Sequence, residues 1–516
     1  MILSALMYSL AFSFPYAALL LFISLVPFFI SLEVSKTARI TMIKGAVFGA
    51  LSGSGITWWI ITAAYFQYDV SLVKAVLLFL LIVVLPMALI YMLFSMGYFF
   101  LFKGRRNILL VMAGLPSLWI TFDYSVSLLP FGVPWIFAGY AAAPLSTFIQ
   151  VADTGGVYLL SFLIVFVNVA VFMVLKETCH INSENGIDIQ AILHVKQAIQ
   201  KKVFLPVVIL LIVIIPVVIY GMISRNTWNQ HTKDSQGKNM EAVAIQGDFT
   251  SQQRWQDNSI FQRIELYRSL TGKHVDNSRA SLVVWPETVV NSSLISHEKL
   301  TSIMSSLIND DSILVTGAVF RPGSKQVYNS AYAISGNGQV ARYDKNILLP
   351  YAESSPLGVE ILDSYYSAPN SFQPGKTLPV INTSNGTIGI SICFEQVYPS
   401  YIRRSVSGDA GILVNISNDS WFGDTTQPGQ HLNCSIIRAV EHRRYLVRAA
   451  NSGYSAIISP AGELSNVTSL FSREAVKGRV QLIEQKSLYT RYGDMILYLA
   501  LVILLSILAI EAFKKD

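Results

Sequence analysis

Three reactive side chains stand at the ends of apolar runs in the second half of this chain. Cys393 follows Thr387-Ile-Gly-Ile-Ser-Ile and is followed at once by Phe394 and Glu395. Glu287 closes Ser281-Leu-Val-Val-Trp-Pro-Glu, and Lys345 lies in Arg342-Tyr-Asp-Lys-Asn, just ahead of the apolar Ile347-Leu-Leu-Pro. A thiol, a carboxylate and an ammonium, each at a strand end, can act as nucleophile, base and electrophilic stabiliser of one covalent mechanism. Taken singly, each has an ordinary reading. A strand-end carboxylate is usually solvated or ion-paired, and a lone cysteine is usually a small buried hydrophobe. Their joint occurrence in a fixed order is what points to chemistry.

The elements that must position them alternate. Short β-rich runs bounded mostly by Gly, Pro, Asn or Asp predict strands over 242–246, 281–285, 313–319, 328–334, 387–393, 411–416 and 454–459. Helical spacing predicts helices over 259–270 and over 431–448, where Leu432, Ile436 and Val440 recur on one face. Such a pattern implies an α/β or α+β layered sandwich. The polar stretch 224–239, which holds Gly237, reads as a linker into it.

Around that unit the composition changes. A mean hydropathy of +0.48, with 14% charged and 52% hydrophobic residues, is too apolar for an ordinary soluble protein of 516 residues. The excess lies in 1–223 and again in 495–513, in runs of about 20 apolar residues that match the hydrocarbon thickness of a bilayer. Seven N-terminal spans are expected near 2–13, 15–31, 41–65, 71–102, 107–124, 156–176 and 203–223, with an eighth after the globular part. The expected organisation is a seven-span bundle (1–223), a linker (224–239), a catalytic domain (240–492), and a C-terminal membrane helix with its tail (493–516). No basic n-region and no small-residue cleavage site mark the first helix as a signal peptide, so it reads as retained.

Loop charges orient the bundle. Lys36, Arg39 and Lys44 follow the second span, and Lys103, Arg105 and Arg106 follow the fourth. Lys176, Lys196, Lys201 and Lys202 lie between the sixth and seventh, and Lys514 and Lys515 end the chain. Loops rich in Lys and Arg stay in the cytoplasm, so both termini are expected inside and the globular domain outside.

Other chemistries fall away. Seven histidines without His-Glu-x-x-His, and three cysteines without Cys-x-x-Cys, offer no metal site, and no glycine-rich phosphate loop is present. The net charge of +6 sits in the cytoplasmic loops, as membrane topology requires, and does not argue for nucleic acid. No cofactor is expected. Cys179 falls in a cytoplasmic loop, which leaves Cys393 and Cys434 as the one pair that could form a disulfide; Cys434 reads otherwise as a packing residue on its helix.

Trp-Pro-Glu, then Tyr-x-Lys-x-x-Leu-x-Pro with a Glu close behind, then Cys-x-Glu, resembles the nitrilase or carbon–nitrogen hydrolase superfamily with its Glu-Lys-Cys triad. The resemblance implies a four-layer α-β-β-α sandwich. Further segments are similar to the apolipoprotein N-acyltransferases of bacterial inner membranes: Gly53-Ser-Gly-Ile-Thr-Trp, Gly132-Val-Pro-Trp-Ile, Ile245-Gln-Gly with Trp255 downstream, Asn415-Ile-Ser-Asn-Asp-Ser-Trp-Phe-Gly, and Tyr489-Thr-Arg-Tyr-Gly-Asp. This likeness runs over essentially the whole chain.

It implies acyl transfer from a phospholipid donor to the N-terminal amine of a diacylated apolipoprotein, on the periplasmic face, by a monomer that needs no metal. Cys393 is then the nucleophile, Glu287 the general base and Lys345 the oxyanion stabiliser. Glu353 and Glu395 match supporting acids, and Trp255, Trp135 and Trp421 are expected near the lipid entrance. Many members of that family carry Tyr directly after the nucleophile, where this chain has Phe394. A membrane-tethered amidase would use the same triad with water as acceptor. A non-enzymatic membrane scaffold is the further alternative, against which the intact Glu287, Lys345 and Cys393 speak.

Overall fold

The computed structural model describes residues 1–67, 70–105, 107–128, 134–179, 181, 197–234, 239–250, 253, 260–294, 298–323, 326–354 and 372–513. The chain forms two compact units. One comprises Met1–Ile61, Leu72–Ile223 and Asp494–Asp516, and the other Thr62–Ser71 with Ser224–Gly493.

The first unit is helical. Among the described residues, six helices are long and apolar enough to cross a membrane: Pro15–Glu33, Leu72–Leu101, Ile108–Ser127, Phe148–Thr178, Val203–Thr232 and Met495–Phe513. Ala38–Thr57 and Trp59–Phe66 form a seventh candidate, bent by 54° at the break. The expected first span is corrected by its length. Ile2–Ser13 has 12 residues, a rise of about 18 Å against a hydrocarbon core of about 30 Å. Glycine spacing explains part of the packing. A Cβ on Gly45 would lie 2.3 Å from the Tyr91 carbonyl oxygen, and one on Gly49 would lie 2.3 Å from that of Met87. Small residues four apart thus let the backbones of Ala38–Thr57 and Leu85–Leu101 approach closely.

The second unit holds two six-stranded sheets. The first has the order β12-β1-β2-β3-β4-β5, with β1 Asn239–Gln246, β2 Ser281–Val284, β3 Ile313–Phe320, β4 Tyr328–Ser335, β5 Val340–Asp344 and β12 Glu474–Gln481. The second has the order β11-β10-β9-β8-β7-β6, with β6 Val380–Thr383, β7 Gly386–Ile392, β8 Ile412–Ser417, β9 Leu446–Ala450, β10 Ala456–Ile458 and β11 Leu464–Val467. The parallel strands β1, β2 and β3, like β7, β8 and β9, direct their C-terminal ends the same way within each sheet.

Helix Ile260–His274 covers the outer face of the first sheet. Its Ile264 and Tyr267 share a buried core with Val243, Val283, Trp285 and Leu314. Helices Pro399–Ser407 and Gln427–His442 cover the second sheet, and the two sheets face each other. The result is the expected four-layer α-β-β-α sandwich, in which nearly every central strand position is buried on both faces and reads as a continuous apolar run.

Several boundaries differ from the sequence reading. Helix Gln197–Asp234 continues through most of the stretch expected to be a linker. Arg225 and Asn229 on that extension both bond Glu463 Oε1, at 2.9 and 2.8 Å. The helix expected over 431–448 runs instead over Gln427–His442 and stops at Arg443 in the left-handed conformation (φ 53°), after which the chain enters β9. Strands β5, β6, β9, β11 and β12 were not expected.

Candidate active site

Strand β2 delivers Glu287 through the Trp285-Pro286 bend. The loop lies flat on β3 because residue 317 is glycine: a Cβ there would stand 2.3 Å from the Thr288 nitrogen and 2.6 Å from Glu287 Cα. Gly317 donates its N–H to the Pro286 carbonyl at 3.0 Å, and Thr288 takes a positive φ of 51° to make the turn. Strand β5 ends at Asp344, directly before Lys345, whose N–H donates to the Asn329 carbonyl on β4 at 2.8 Å. Strand β7 ends at Ile392, and Cys393 then turns sharply with φ 52°, a strained conformation for a residue with a Cβ. That turn lifts the thiol off the strand axis at the start of the short 3-10 segment Cys393–Val397.

The three expected residues meet in one buried site. Lys345 is 1% exposed, Glu287 6% and Cys393 9%. Lys345 Nζ lies 2.7 Å from Glu353 Oε2 and 3.7 Å from Glu287 Oε1. Burial works against charge on the Lys345 ammonium, but Glu353, Glu287 and Cys393 together hold its pKa above the ordinary lysine range. For Cys393, burial first and then the Glu287 charge push the thiol up to about 12, against the pull of Lys345. The thiol is thus neutral at rest, and an attack through its sulfur would need a base. Glu287, 3.7 Å from the same cation, shares the site with Glu353.

Glu353 and Glu395 have different surroundings. Glu353 Oε2 accepts from the Leu349 N–H at 2.8 Å, which closes the loop after Lys345 around the ion pair. Glu395 is fully buried and works as a clamp. Its Oε2 accepts from the Ile392 N–H at 2.8 Å, and its Oε1 from Tyr343 Oη at 2.7 Å, Asn346 N at 2.7 Å and Ile347 N at 3.1 Å. One carboxylate therefore ties the Cys393 turn to the segment that carries Lys345. Burial raises its pKa despite these donors. Phe394 is buried and packs edge-on against Tyr398, with ring centroids 5.3 Å apart.

Trp135 is buried in the helical unit against Trp59, ring centroids 5.3 Å apart, and Trp421 lies half-buried in the short turn Asp419–Phe422 after β8. Trp255 falls outside the described residues. Cys393 and Cys434 are both free thiols, and Cys434 is buried on its helix. Among the described residues no group of three or more His, Cys, Asp or Glu is arranged to hold a metal ion.

Two features escaped the sequence. Asn329 Nδ2 donates to Glu287 Oε1 at 2.7 Å and to Glu353 Oε1 at 2.9 Å, so one amide holds both carboxylates around Lys345. Behind the nucleophile, His431 Nε2 lies 3.2 Å from the Cys393 carbonyl oxygen and Nδ1 lies 2.9 Å from Asp419 Oδ1. Arg448 pairs with Asp419 Oδ2 at 2.7 Å and also donates to Asn415 Oδ1. Asn415 Nδ2 in turn reaches the Cys393 carbonyl at 3.3 Å. The segment 415–423 was noted for its resemblance alone; its Asn and Asp gave no sign of which strand end they would support.

Fold and site together define a carbon–nitrogen hydrolase unit borne by a multi-pass membrane protein. Residues 243–487 match the carbon–nitrogen hydrolase family, and residues 4–170 match the apolipoprotein N-acyltransferase N-terminal domain. Over its whole length the chain is similar to proteins named apolipoprotein N-acyltransferase. It is similar to the apolipoprotein N-acyltransferase of Geobacter metallireducens, 28% identical across 100% of this chain and 95% of the relative. The same-named proteins of Pseudomonas syringae pv. tomato (27% identical, 92% and 88% covered) and Chlorobaculum tepidum (24%, 96% and 92%) are similar over nearly as much.

Proposed function

We propose that this acyltransferase moves a fatty acyl chain from a membrane phospholipid to the N-terminal α-amine of a diacylglyceryl-cysteine apolipoprotein, by way of a thioester on Cys393. Glu287 takes the thiol proton as sulfur attacks the ester carbonyl. The tetrahedral oxyanion forms beside Lys345, and its collapse breaks the ester C–O bond. Glu287 returns the proton to the departing lysophospholipid oxygen. The amine of the second substrate then attacks the thioester, Glu287 accepts a proton from it, and sulfur leaves. Glu353 and Glu395 position Lys345 and the nucleophile's turn, and the enzyme works as a monomer.

The single observation that carries this reading is the buried Lys345 ammonium, paired with Glu353 and 3.7 Å from Glu287, at the ends of strands in a chain with these relatives. Catalysis belongs on the outer face of the bacterial inner membrane, with the C-terminus in the cytoplasm. That orientation rests on the basic residues that follow Pro15–Glu33, Leu72–Leu101 and Phe148–Thr178 and that end the chain. Thiol labelling from outside spheroplasts should reach a cysteine introduced at Asn277 and miss one at Lys36.

The activity is tested by incubating purified protein with phospholipid and a synthetic diacylated lipopeptide. A mass gain of one acyl chain on the lipopeptide, with lysophospholipid released in equal amount, is the expected result. Free fatty acid with an unchanged lipopeptide would replace the transferase reading with that of a tethered amidase.

A further inference from the structure

Past the end of β7, Cys393 sits at φ 52°, a backbone state that a residue with a Cβ keeps only where its surroundings hold it there. Two side chains reach the carbonyl of that residue. His431 Nε2 lies 3.2 Å from the Cys393 oxygen, and Asn415 Nδ2 donates to it at 3.3 Å. The Asn415 amide is divided, since it also donates to Ser391 Oγ at 2.9 Å and to the Ser391 carbonyl at 3.3 Å. That leaves the imidazole as the more committed partner. It is fixed in place as well: Gln396 donates to the His431 carbonyl at 3.1 Å and accepts from Ser435 Oγ at 2.8 Å, which docks helix Gln427–His442 on the turn that Cys393 begins.

Whether the imidazole bonds that carbonyl depends on where its proton sits. Burial, and then the Arg448 charge, lower the His431 pKa, so the ring carries one proton and not two. Arg448 Nη2 lies 3.0 Å from Nδ1 and can only donate, which makes Nδ1 an acceptor. Asp419 Oδ1, 2.9 Å from the same nitrogen, is already served by Ser417 Oγ at 2.9 Å, and Oδ2 by Arg448 at 2.7 Å. A proton on Nε2 satisfies the Cys393 carbonyl and Arg448 together. A proton on Nδ1 would set N–H against the arginine N–H and a bare lone pair against the carbonyl. The lone pair that Nδ1 then turns toward Asp419 is offset by Arg448, which bonds both.

We propose that His431 is a positioning residue for the nucleophile, whose Nε2–H donates to the Cys393 carbonyl and holds the left-handed turn from which the thiol attacks. Asp419 and Arg448 act one step further back, by fixing the ring and its tautomer. This role rests on Cys393 being the nucleophile, as proposed above.

Two amides separate the nitrogens of the ring: glutamine carries its N–H where histidine has Nε2, and asparagine where it has Nδ1. The test uses the full-length protein in detergent with carbonyl-¹³C cysteine, and the infrared band of the Cys393 carbonyl is isolated as the difference from the Cys393→Ala counterpart. In His431→Asn the band should move to higher frequency, and acyl-enzyme formation from phospholipid should slow by about tenfold, the loss of one hydrogen bond, with an unchanged KM for phospholipid. His431→Gln should restore both. The reverse pattern, a fast Asn variant and a slow Gln variant, would place the role at Asp419 and overturn the proposal. Equal rates in the two variants, or a band that does not move, would overturn it too. Should the variants fail to fold, the unaltered protein decides. With ring-¹⁵N histidine and the same cysteine label, solid-state NMR should show that the histidine nitrogen nearest a cysteine carbonyl bears a proton, and a bare nitrogen there contradicts the assignment. Acylation that survives Cys393→Ala would instead remove the nucleophile itself, an outcome separable from the carbonyl band and the nitrogen's proton.

Discussion

The Lys345 ammonium is paired with Glu353 at 2.7 Å, while Glu287 stands off at 3.7 Å from the same nitrogen. A lysine bound tightly to its base would hold that base ionised and unreactive. A second carboxylate that takes most of the cation's charge leaves Glu287 free to accept a proton. Glu353→Gln should therefore move Lys345 toward Glu287 and slow thioester formation by about 100-fold while the protein still folds. Lys345→Met removes the proposed oxyanion donor and should cost about 100- to 1000-fold. Single-turnover release of lysophospholipid measures both. Near-normal turnover in Lys345→Met would leave oxyanion stabilisation to backbone amides.

Asn329 bridges two carboxylates with one amide, and a charge-assisted hydrogen bond is worth about 1.5–3 kcal/mol. Asn329→Ala should slow acylation by roughly 10- to 100-fold, and Asn329→Asp by more, since it adds a third acid beside Glu287 and Glu353. Equal rates for the two variants would show that the amide only fills space.

The strand ends that carry the candidate site were legible because each joins a β-rich run to a change of residue type: Pro286 before Glu287, the charged Arg342-Tyr-Asp before Lys345, and the Thr387 alternation before Cys393. Asn329 had no such mark. It sits near the start of β4 as an ordinary polar strand residue, and its meaning comes from a glutamate 24 positions away. Strand β11, Leu464–Val467, is exposed at every position and carries no alternation. Strand β12 mixes Lys477, Gly478 and Arg479 among its apolar residues. Strand β9 was hidden because the preceding helix stops at Arg443, where no glycine or proline announces the end. The polar turns after Ile223 looked like a linker, yet tertiary pairs such as Arg225 with Glu463 accompany a helix whose composition alone did not specify it.

Phe394 departs from the tyrosine common in the family, and its ring is buried edge-on against Tyr398. Packing is what the position supplies in this chain. Phe394→Tyr should change acyl-enzyme formation by less than about twofold, because a gained hydrogen bond worth about 1 kcal/mol would give more. A larger gain would show that the tyrosine hydroxyl takes part in the reaction.

His431 and His442 are buried, and burial followed by neighbouring arginines lowers the pKa of each below the ordinary histidine value. Each stays neutral in the fold while the unfolded chain binds a proton near pH 6.5, so the unfolded state holds more protons as pH falls. Stability from these groups is complete above about pH 6.5 and is lost below it, at about 1.4 kcal/mol per pH unit for His442, whose pKa lies well below the ordinary value, with His431 acting in the same direction. The Tm of the detergent-solubilised protein should drop between pH 7 and 5.5, and His442→Gln should flatten that slope. An unchanged slope in the variant would mean that His442 is charged in the fold.

The most direct test of the account is the mass of the protein after mixing with phospholipid alone. Cys393 should gain one fatty acyl chain through a bond cleaved by neutral hydroxylamine, with lysophospholipid formed in matching amount, and added lipopeptide should discharge it. The adduct should be absent from Cys393→Ala and present in Cys434→Ala. An adduct that forms equally well in Cys393→Ala would contradict the central claim.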